Sequence, residues 1–490
     1  MLLTTIYLLL IIFCLFCIYD CFKPRYFPPG PAWLPIIGCL AAFKRLQIKY
    51  GFSHLAFKKL EETYGPVVGL KLGRQKIVTI STYDFVKQAL LQDEFNGRPE
   101  SFFFKIRAFG KKKGVLFTEG QTWSQCRRFT MRHLRTFGLG QSMMNKRLTT
   151  EAQYLVENLR EQSEHGSVLM HNAFDVAVIN ALWTMFAGHR FEYDDEKSKE
   201  ILETVHNSFR LTDTMGGLLS HMPFLRFIAP KWCNYDETMS LLRKQWKFIE
   251  EEITKHELEL TDKEPRDLIE AFLLEIASRK GNNSNDIFDR ENLLILCLDL
   301  LLAGTKTTSD MLAITILFLS LNRQWIKPLQ EELDKQTGRT RPPTFEDSSS
   351  LPMVEAFLAE VNHIVKLTYF RKFEKCCKLK RRKKILKDVH YDPTYWDHPE
   401  EFRPQRFLDK NGQFRQSNAN IPFGLGKRRC LGELLARSTF FLYFVYFIYY
   451  FNFDISPIHD IPDPSDCYDS FTLSPKPYYL KLSMRSDIKH

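Results

Sequence analysis

Residues 422–433, Pro-Phe-Gly-Leu-Gly-Lys-Arg-Arg-Cys-Leu-Gly-Glu, set one cysteine, Cys430, in a loop suited to hold it over a metal. Gly424 and Gly426 permit a backbone path that a Cβ would resist, so the loop can lie close to a flat cofactor. Gly432 follows two residues later, and Leu431 to Tyr446 reads as an apolar helix. Cys430 therefore stands at a helix N-terminus, where free N–H groups and the dipole favour a thiolate. Arg428 and its basic neighbours stabilise negative charge further.

A thiolate ligand pushes electron density onto a haem iron and favours O–O cleavage, whereas histidine favours globin or peroxidase behaviour. The spacing Phe423-x-x-Gly426-x-Arg428-x-Cys430-x-Gly432 resembles the haem-binding signature of the cytochrome P-450 family at all five of its positions. A cysteine in a glycine turn before a core helix is otherwise unremarkable. Here further marks of the same family follow in order along nearly the whole chain. The resemblance implies a mainly α fold with a small β portion, haem b held by Cys430, and contacts to the cofactor from Phe423, Gly426, Arg428 and Gly432.

The 490 residues contain no Pro/Gly/Ser linker or internal repeat after the start, so one large catalytic domain is expected over 39–490. Leu2 to Ile18 is almost wholly apolar, with no charge before Asp20. Lys23 and Arg25 follow, and no cleavage pattern is present, so residues 1–22 read as a retained transmembrane anchor with the body on the cytosolic side. The proline-rich stretch within 23–38 stiffens the link, as in microsomal members of the family. Eleven scattered cysteines suit a reducing compartment. Cys376-Cys377 has no zinc-site partners at ligand spacing, and the sequon at Asn282-Asn283-Ser284 is idle on a cytosolic body.

The net charge of +10 is local: 366–387 holds eleven Lys/Arg and one acid, and the rest of the chain is close to neutral. A globally basic, polyanion-binding protein is not indicated, and no nucleic-acid partner is expected.

Helices dominate the periodicity, with strand-like runs at Val67–Leu72 and Lys76–Ile80. Trp123 and Arg127, four residues apart, share a helix face, and the resemblance assigns such a pair to a haem propionate. A long apolar helix from Asn292 to about Ser320 is expected to be interrupted at Ala303-Gly304-Thr305-Lys306-Thr307-Thr308, because small and hydroxyl side chains loosen a helix. There the resemblance makes Gly304 part of an oxygen groove and Thr307 the hydroxyl that passes protons. Lys306 stands where the family carries an acid, and Asp310, one turn on, can pair with it, so the proton relay is expected to be altered rather than absent, with Lys306 and Thr307 together governing coupling.

Glu360 corresponds to the family's Glu-x-x-Arg, with His363 replacing the arginine; His363 lacks the five-donor fork, but Arg406 can still pair with Glu360. Residues 364–387 depart from the family pattern. They lack strand alternation and turn punctuation where the family places a strand pair beside haem, and Lys378–Lys384, KLKRRKK, resembles a nuclear-localisation patch. A misjoined exon accounts for lost pattern, shortening and charge together.

Phe102, Phe103, Phe104 and Phe109 lie where the family builds its pocket roof, and 209–227 and 471–475 hold other expected wall positions, so the substrate is expected to be apolar and lipid-like. The wording of 96–120 and of the Trp123 helix resembles an insect microsomal branch associated with development and hormone-like lipids. The expected function is an endoplasmic-reticulum haem-thiolate monooxygenase that draws electrons from NADPH through cytochrome P-450 reductase, with cytochrome b5 as a further donor. Arg128, Arg132, Lys427 and Arg429 are the candidate docking face. Two other readings compete: a haem-binding protein without turnover, resting on Lys306, His363 and the basic segment, and a nuclear protein, resting only on KLKRRKK.

Overall fold

The computed structural model describes residues 2–98, 101–211, 217–261, 263–279, 287–365, 383–386, 392–463, 467–470 and 472–486. After α1 (Leu2–Cys21) come α2 (Leu40–Tyr50), α3 (Ser53–Tyr64), the strands β1 (Val67–Leu72) and β2 (Gln75–Ile80), α4 (Tyr83–Leu91) and α5 (Phe102–Ile106). The central part holds α6 (Gly120–Thr136), α7 (Ser142–Glu164), β3 (Val168–Leu169), α8 (Asp175–Phe186), α9 (Glu196–Arg210), α10 (Gly217–His221), α11 (Leu225–Ile228), α12 (Tyr235–Glu259) and α13 (Leu268–Ser278). It continues through α14 (Arg290–Leu321), α15 (Ile326–Thr337), α16 (Pro352–Ile364), β4 (Lys383–Leu386) and α17 (Glu433–Tyr450). The strands β5 (Phe451–Ile455), β6 (Cys467–Asp469), β7 (Leu473–Pro475) and β8 (Tyr479–Met484) complete the order.

A helix that is apolar all round has no face to give to water and is buried. α14 and α17 are such helices; they touch each other, α8 and α16 in the main core. Asp289 caps α14, its carboxylate accepting from the Asn292 backbone N–H at 2.6 Å. α1 is more apolar than α14, yet none of it is buried. Both helices are long and apolar enough to cross a membrane, and α14 is a core helix by its burial.

β1 and β2 form an antiparallel hairpin in the register Val67↔Ile80 to Leu72↔Gln75, within one residue of the expected strands. The proline-rich segment is docked on this hairpin rather than suspended: Gly69 N–H donates to Pro29 O at 2.7 Å, Gly38 bridges to Leu72, and Trp33 is buried. One expectation is corrected here. Lys383–Leu386, inside the basic segment expected to lack strand structure, form β4, parallel to β2. Strand pairing runs through backbone N–H and C=O groups, which charge counting does not register. The remainder of the segment, with Cys376, Cys377 and most of KLKRRKK, lies outside the described residues, as do Asn282–Ser284. The other strands make the sheet β3-β8-β5 and the ribbon β6-β7, whose β7 lies against α14.

Candidate haem site

The cysteine loop is built from local chemistry. Gly424 and Gly426 adopt φ of 71° and 70°, the left-handed region that favours glycine. A Cβ on Gly426 would also run into the carbonyl oxygen of Leu90, at the end of α4. A single 3₁₀ turn, Gly426–Arg428, follows, and the Cys430 N–H donates back to Phe423 O at 3.0 Å. α17 begins at Glu433, two residues later than expected, with Gly432 as its cap and Ala436 N–H donating to Gly432 O at 2.8 Å. Cys430 thus sits just before a helix N-terminus, whose dipole favours a thiolate.

Cys430 lines a cavity of about 380 Å³ whose walls are mostly aliphatic and aromatic. Phe423, Leu431 and Gly432 flank it, and Ala303, Gly304 and Thr307 of α14 line the same space. Among the described residues, five arginines also line the cavity, Arg98, Arg107, Arg127, Arg428 and Arg429. Arg428 is buried, its Nε donating to Asn96 O (2.9 Å) and Nη2 to Thr118 O (2.7 Å), with its plane 3.8 Å from the Trp123 ring centre. Arg127 donates to Arg429 O at 2.7 Å, and burial lowers its pKa. Arg98 donates from Nε to Leu116 O at 2.7 Å, and burial, with Arg127 nearby, pushes its pKa down to about 10. The cluster of Arg98, Arg127 and Arg428, one buried and two half-buried, calls for anionic oxygens. A flat cofactor with a metal at its centre and two carboxylates at one edge fits this wall and Cys430 together.

The family model described as Cytochrome P450 matches residues 28–482. The chain belongs to the cytochrome P450 family. It is 31% identical to farnesoate epoxidase of Bombyx mori over 98% of this chain and 99% of that one. It is 33% identical to cytochrome P450 2J3 of Rattus norvegicus, over 86% and 84%, and 32% identical to cytochrome P450 2A13 of Homo sapiens, over 88% and 90%. The P450 cofactor is haem with a cysteine thiolate on the iron, and the residues around Cys430 fit it. The enzyme is a monooxygenase of this family.

In this P450, α14 runs unbroken through 303–308, contrary to the expected interruption. The Thr305 hydroxyl donates to Leu301 O at 2.7 Å and the Thr307 hydroxyl to Ala303 O at 2.8 Å, which satisfies them inside the helix without breaking its ladder. Gly304 and Thr307 line the cavity, and Lys306 does not. Lys306 is buried, 2.7 Å from Asp310 Oδ1. Burial raises the pKa of Asp310, which also accepts from Ser474 Oγ (2.9 Å) and Thr472 Oγ1 (3.4 Å). Nearby, Asp175 pairs with His206 at 2.5 Å and accepts from Ser309. Burial works against the Asp175 charge, yet His206, Lys306 and Ser309 hold its pKa below the usual value. The inverted charge of Lys306 is thus answered within its own helix and by α8.

Glu360 accepts from Arg406 Nε at 2.8 Å and from the Arg403 backbone N–H at 2.6 Å. The remaining Arg406 donors reach the carbonyl oxygens of Asp397, His398 and Glu401. His363 is fully buried against the Trp396 ring, with centres 4.1 Å apart. Glu360 and Arg406 therefore pair, with a tilted aromatic contact at the third position.

Of the four roof phenylalanines, Phe103 and Phe104 line the cavity. Phe109 instead stacks on Trp246 at 4.5 Å, and Phe102 lies under Arg226. Phe209 and Thr472 line it from the other expected regions, while Phe471 lies outside the described residues. Sequence reasoning missed Arg98, Arg107 and Asp299. Each is a lone charge in a loop or apolar helix, and only an alternation of charge with burial, invisible before folding, distinguishes them.

Proposed function

We propose that Cys430 is the iron ligand, that Trp123, Arg127 and Arg428, joined by Arg98, hold the haem carboxylates, and that the enzyme inserts one oxygen atom of O2 into an apolar substrate. The observation that carries this is one cavity lined at once by Cys430, by Arg98, Arg127 and Arg428, and by Gly304 and Thr307. Bound haem supplies the thiolate-driven electron push that favours O–O cleavage. The chain's own part is binding, orientation and proton supply. Phe423 and Gly426 shape the loop, and Gly432 opens the helix beyond it. Thr307 presents a hydroxyl at the cavity wall whose proton can leave its bond to Ala303 O. The apolar walls exclude water and select lipid-like molecules.

Electrons are supplied from NADPH by cytochrome P450 reductase, with cytochrome b5 as a further donor. Arg128 and Arg132 are exposed on α6 for an acidic partner, whereas Lys427 is engaged by Asp93 (2.7 Å) and Arg429 by Glu433 (2.6 Å). Residues 1–22 anchor the protein in the endoplasmic-reticulum membrane, with 39–490 as the cytosolic catalytic domain. The apolar α1, none of whose residues is buried, supports this. Hormone-like lipids are the candidate substrates, a reading that the likeness to farnesoate epoxidase supports.

Reduced protein treated with carbon monoxide is expected to show the red-shifted Soret band of a thiolate-bound haem, and Cys430→Ala to abolish it. A variant that keeps the band overturns the ligand assignment. Substrate-dependent NADPH consumption separates a turning enzyme from a haem carrier.

A further inference from the structure

The end of α1 is fastened to the catalytic body by a contact that the proposed chemistry does not use. Asp20, in the last turn of α1, puts Oδ1 2.5 Å from Lys71 Nζ, and the same ammonium donates to the Asp20 backbone O at 3.1 Å. Lys71 stands on β1, is 4% exposed, and its Nζ lies 5.4 Å from the Trp33 ring centre. Asp20 Oδ2 accepts from the Ile36 N–H at 2.7 Å. Ile36 sits in a tight bend closed by two hydrogen bonds between Leu34 and Gly38, both 2.9 Å, and its φ is 64°. A β-branched residue rarely takes that left-handed backbone, which persists only where the surroundings hold it. The bend is itself fixed to β1, since the Cys39 N–H donates to Lys71 O at 2.7 Å. Bend and lysine thus form one socket, in which a cation and an N–H converge on a single carboxylate. Just beyond α1, Lys23 Nζ donates to Gly30 O at 2.5 Å and closes the connecting segment on itself.

We propose that Asp20, Lys71 and the bend at 34–38 form a latch that locks the anchor helix to the catalytic body, so that the body meets a lipid surface at one fixed angle. The latch rests on the reading of α1 as a membrane anchor and deepens it. Exposed ion pairs contribute little, because water screens them and both side chains stay mobile. Here the cation is buried, and removing Asp20 takes away both oxygens that it meets among the described residues. The carboxylate is also held on both of its oxygens, by groups 16 and 51 residues along the chain. Charge-assisted bonds from two directions define one orientation of the helix end. A proline-rich connection stiffens its own path but leaves the tilt of the body open. The latch therefore supplies what residues 22–38 alone do not.

Limited trypsin digestion of the full-length protein in phosphatidylcholine nanodiscs reads the latch without reference to haem or turnover, since cutting tracks the population of the opened form. Trypsin cuts after Arg25, Lys23 being followed by proline, and after Lys263, which is exposed beyond α12 and serves as the internal reference. In wild type the bond after Arg25 is expected to be cut more slowly than the reference. Asp20→Asn and Lys71→Met are each expected to speed that cut about tenfold, the scale of one charge-assisted hydrogen bond. Asp20→Glu keeps the charge and is expected to stay within about twofold of wild type. Asp20→Asn/Lys71→Met is expected to be no faster than either single variant, because both substitutions open the same contact. Equal cutting of wild type and Asp20→Asn overturns the latch, as does a double variant that multiplies the single effects to about a hundredfold. If Lys71→Met misfolds, which faster cutting at the reference reveals, wild type, Asp20→Asn and Asp20→Glu decide alone. Fast cutting after Arg25 in wild type that co-elutes with the disc sinks the latch only, whereas slow cutting in wild type that elutes apart from it sinks the anchor reading and leaves the latch standing.

Discussion

The two sides of α14 handle polar groups in opposite ways. Toward the cavity, Ala303, Gly304 and Thr307 present small side chains and one hydroxyl, and the nearest charge, Asp299, is neutralised by Arg107. On the other side, Lys306, Ser309 and Asp310 are buried among Asp175, His206 and His171 in a cluster of both signs. The cavity side pairs its acid, Asp299, with a cation from outside the helix. The other side meets its charges within the protein. A departure from family chemistry at Lys306 is therefore tolerated because the compensation lies in the fold's interior, away from the reacting space.

The harshest way to break this contrast is Lys306→Met. Removing one partner of a buried ion pair leaves Asp310 uncompensated and is expected to cost about 3–5 kcal/mol of stability, with Lys306→Met/Asp310→Leu regaining most of it. Unfolding midpoints of the three proteins in urea measure this. Equal stability of the single and double variants would mean that Lys306 does not neutralise Asp310.

The same cluster has a pH signature. Burial, then Lys306, His206 and Arg210, push the His171 pKa down to about 3 from 6.5. Between those values the unfolded chain binds a proton that the folded one refuses, so stability is fully present above pH 6.5 and declines as pH falls toward 3. In Lys306→Met/Asp310→Leu one of those cations is gone, the His171 pKa rises, and the decline is expected to be shallower. An unchanged slope would detach His171 from the cluster.

On the cavity side the effects are on chemistry and not on stability. Thr307→Ala is expected to unfold at nearly the wild-type midpoint, since it loses one intrahelical hydrogen bond, but to release several-fold more peroxide per NADPH consumed. Unchanged peroxide yield would remove this hydroxyl from proton supply. Gly304→Ala should do least: its Cβ would meet only the Leu182 side-chain tip, and the helical gain of up to about 1 kcal/mol for replacing glycine offsets the crowding. A loss well beyond that would show that the groove has no slack.

Much of this was legible before folding. The cysteine loop, the β1–β2 hairpin and the apolar runs of α14 and α17 follow from glycine placement and periodicity, which act over a few residues. The pairing of Lys306 with Asp310 was legible too, because four residues make one helical turn. The expected break in α14 failed because threonine hydroxyls can bond back within a helix as readily as they loosen it. Phe102 and Phe109 were placed on the roof by position alone; Phe102, at the start of the five-residue helix, meets Arg226, and Phe109, in the turn beyond it, meets Trp246.

By itself, then, the sequence determined the setting of Cys430, the helical class and the apolar character of the pocket, since each depends on neighbours in the chain. Tertiary structure alone decided that Arg98 joins Arg127 and Arg428, that His363 stacks where an arginine was expected, and that Arg107 meets Asp299 across 192 residues of sequence. The reason is physical: a buried charge is costly or useful according to what lies within hydrogen-bond reach, and folding chooses that partner without regard to distance along the chain.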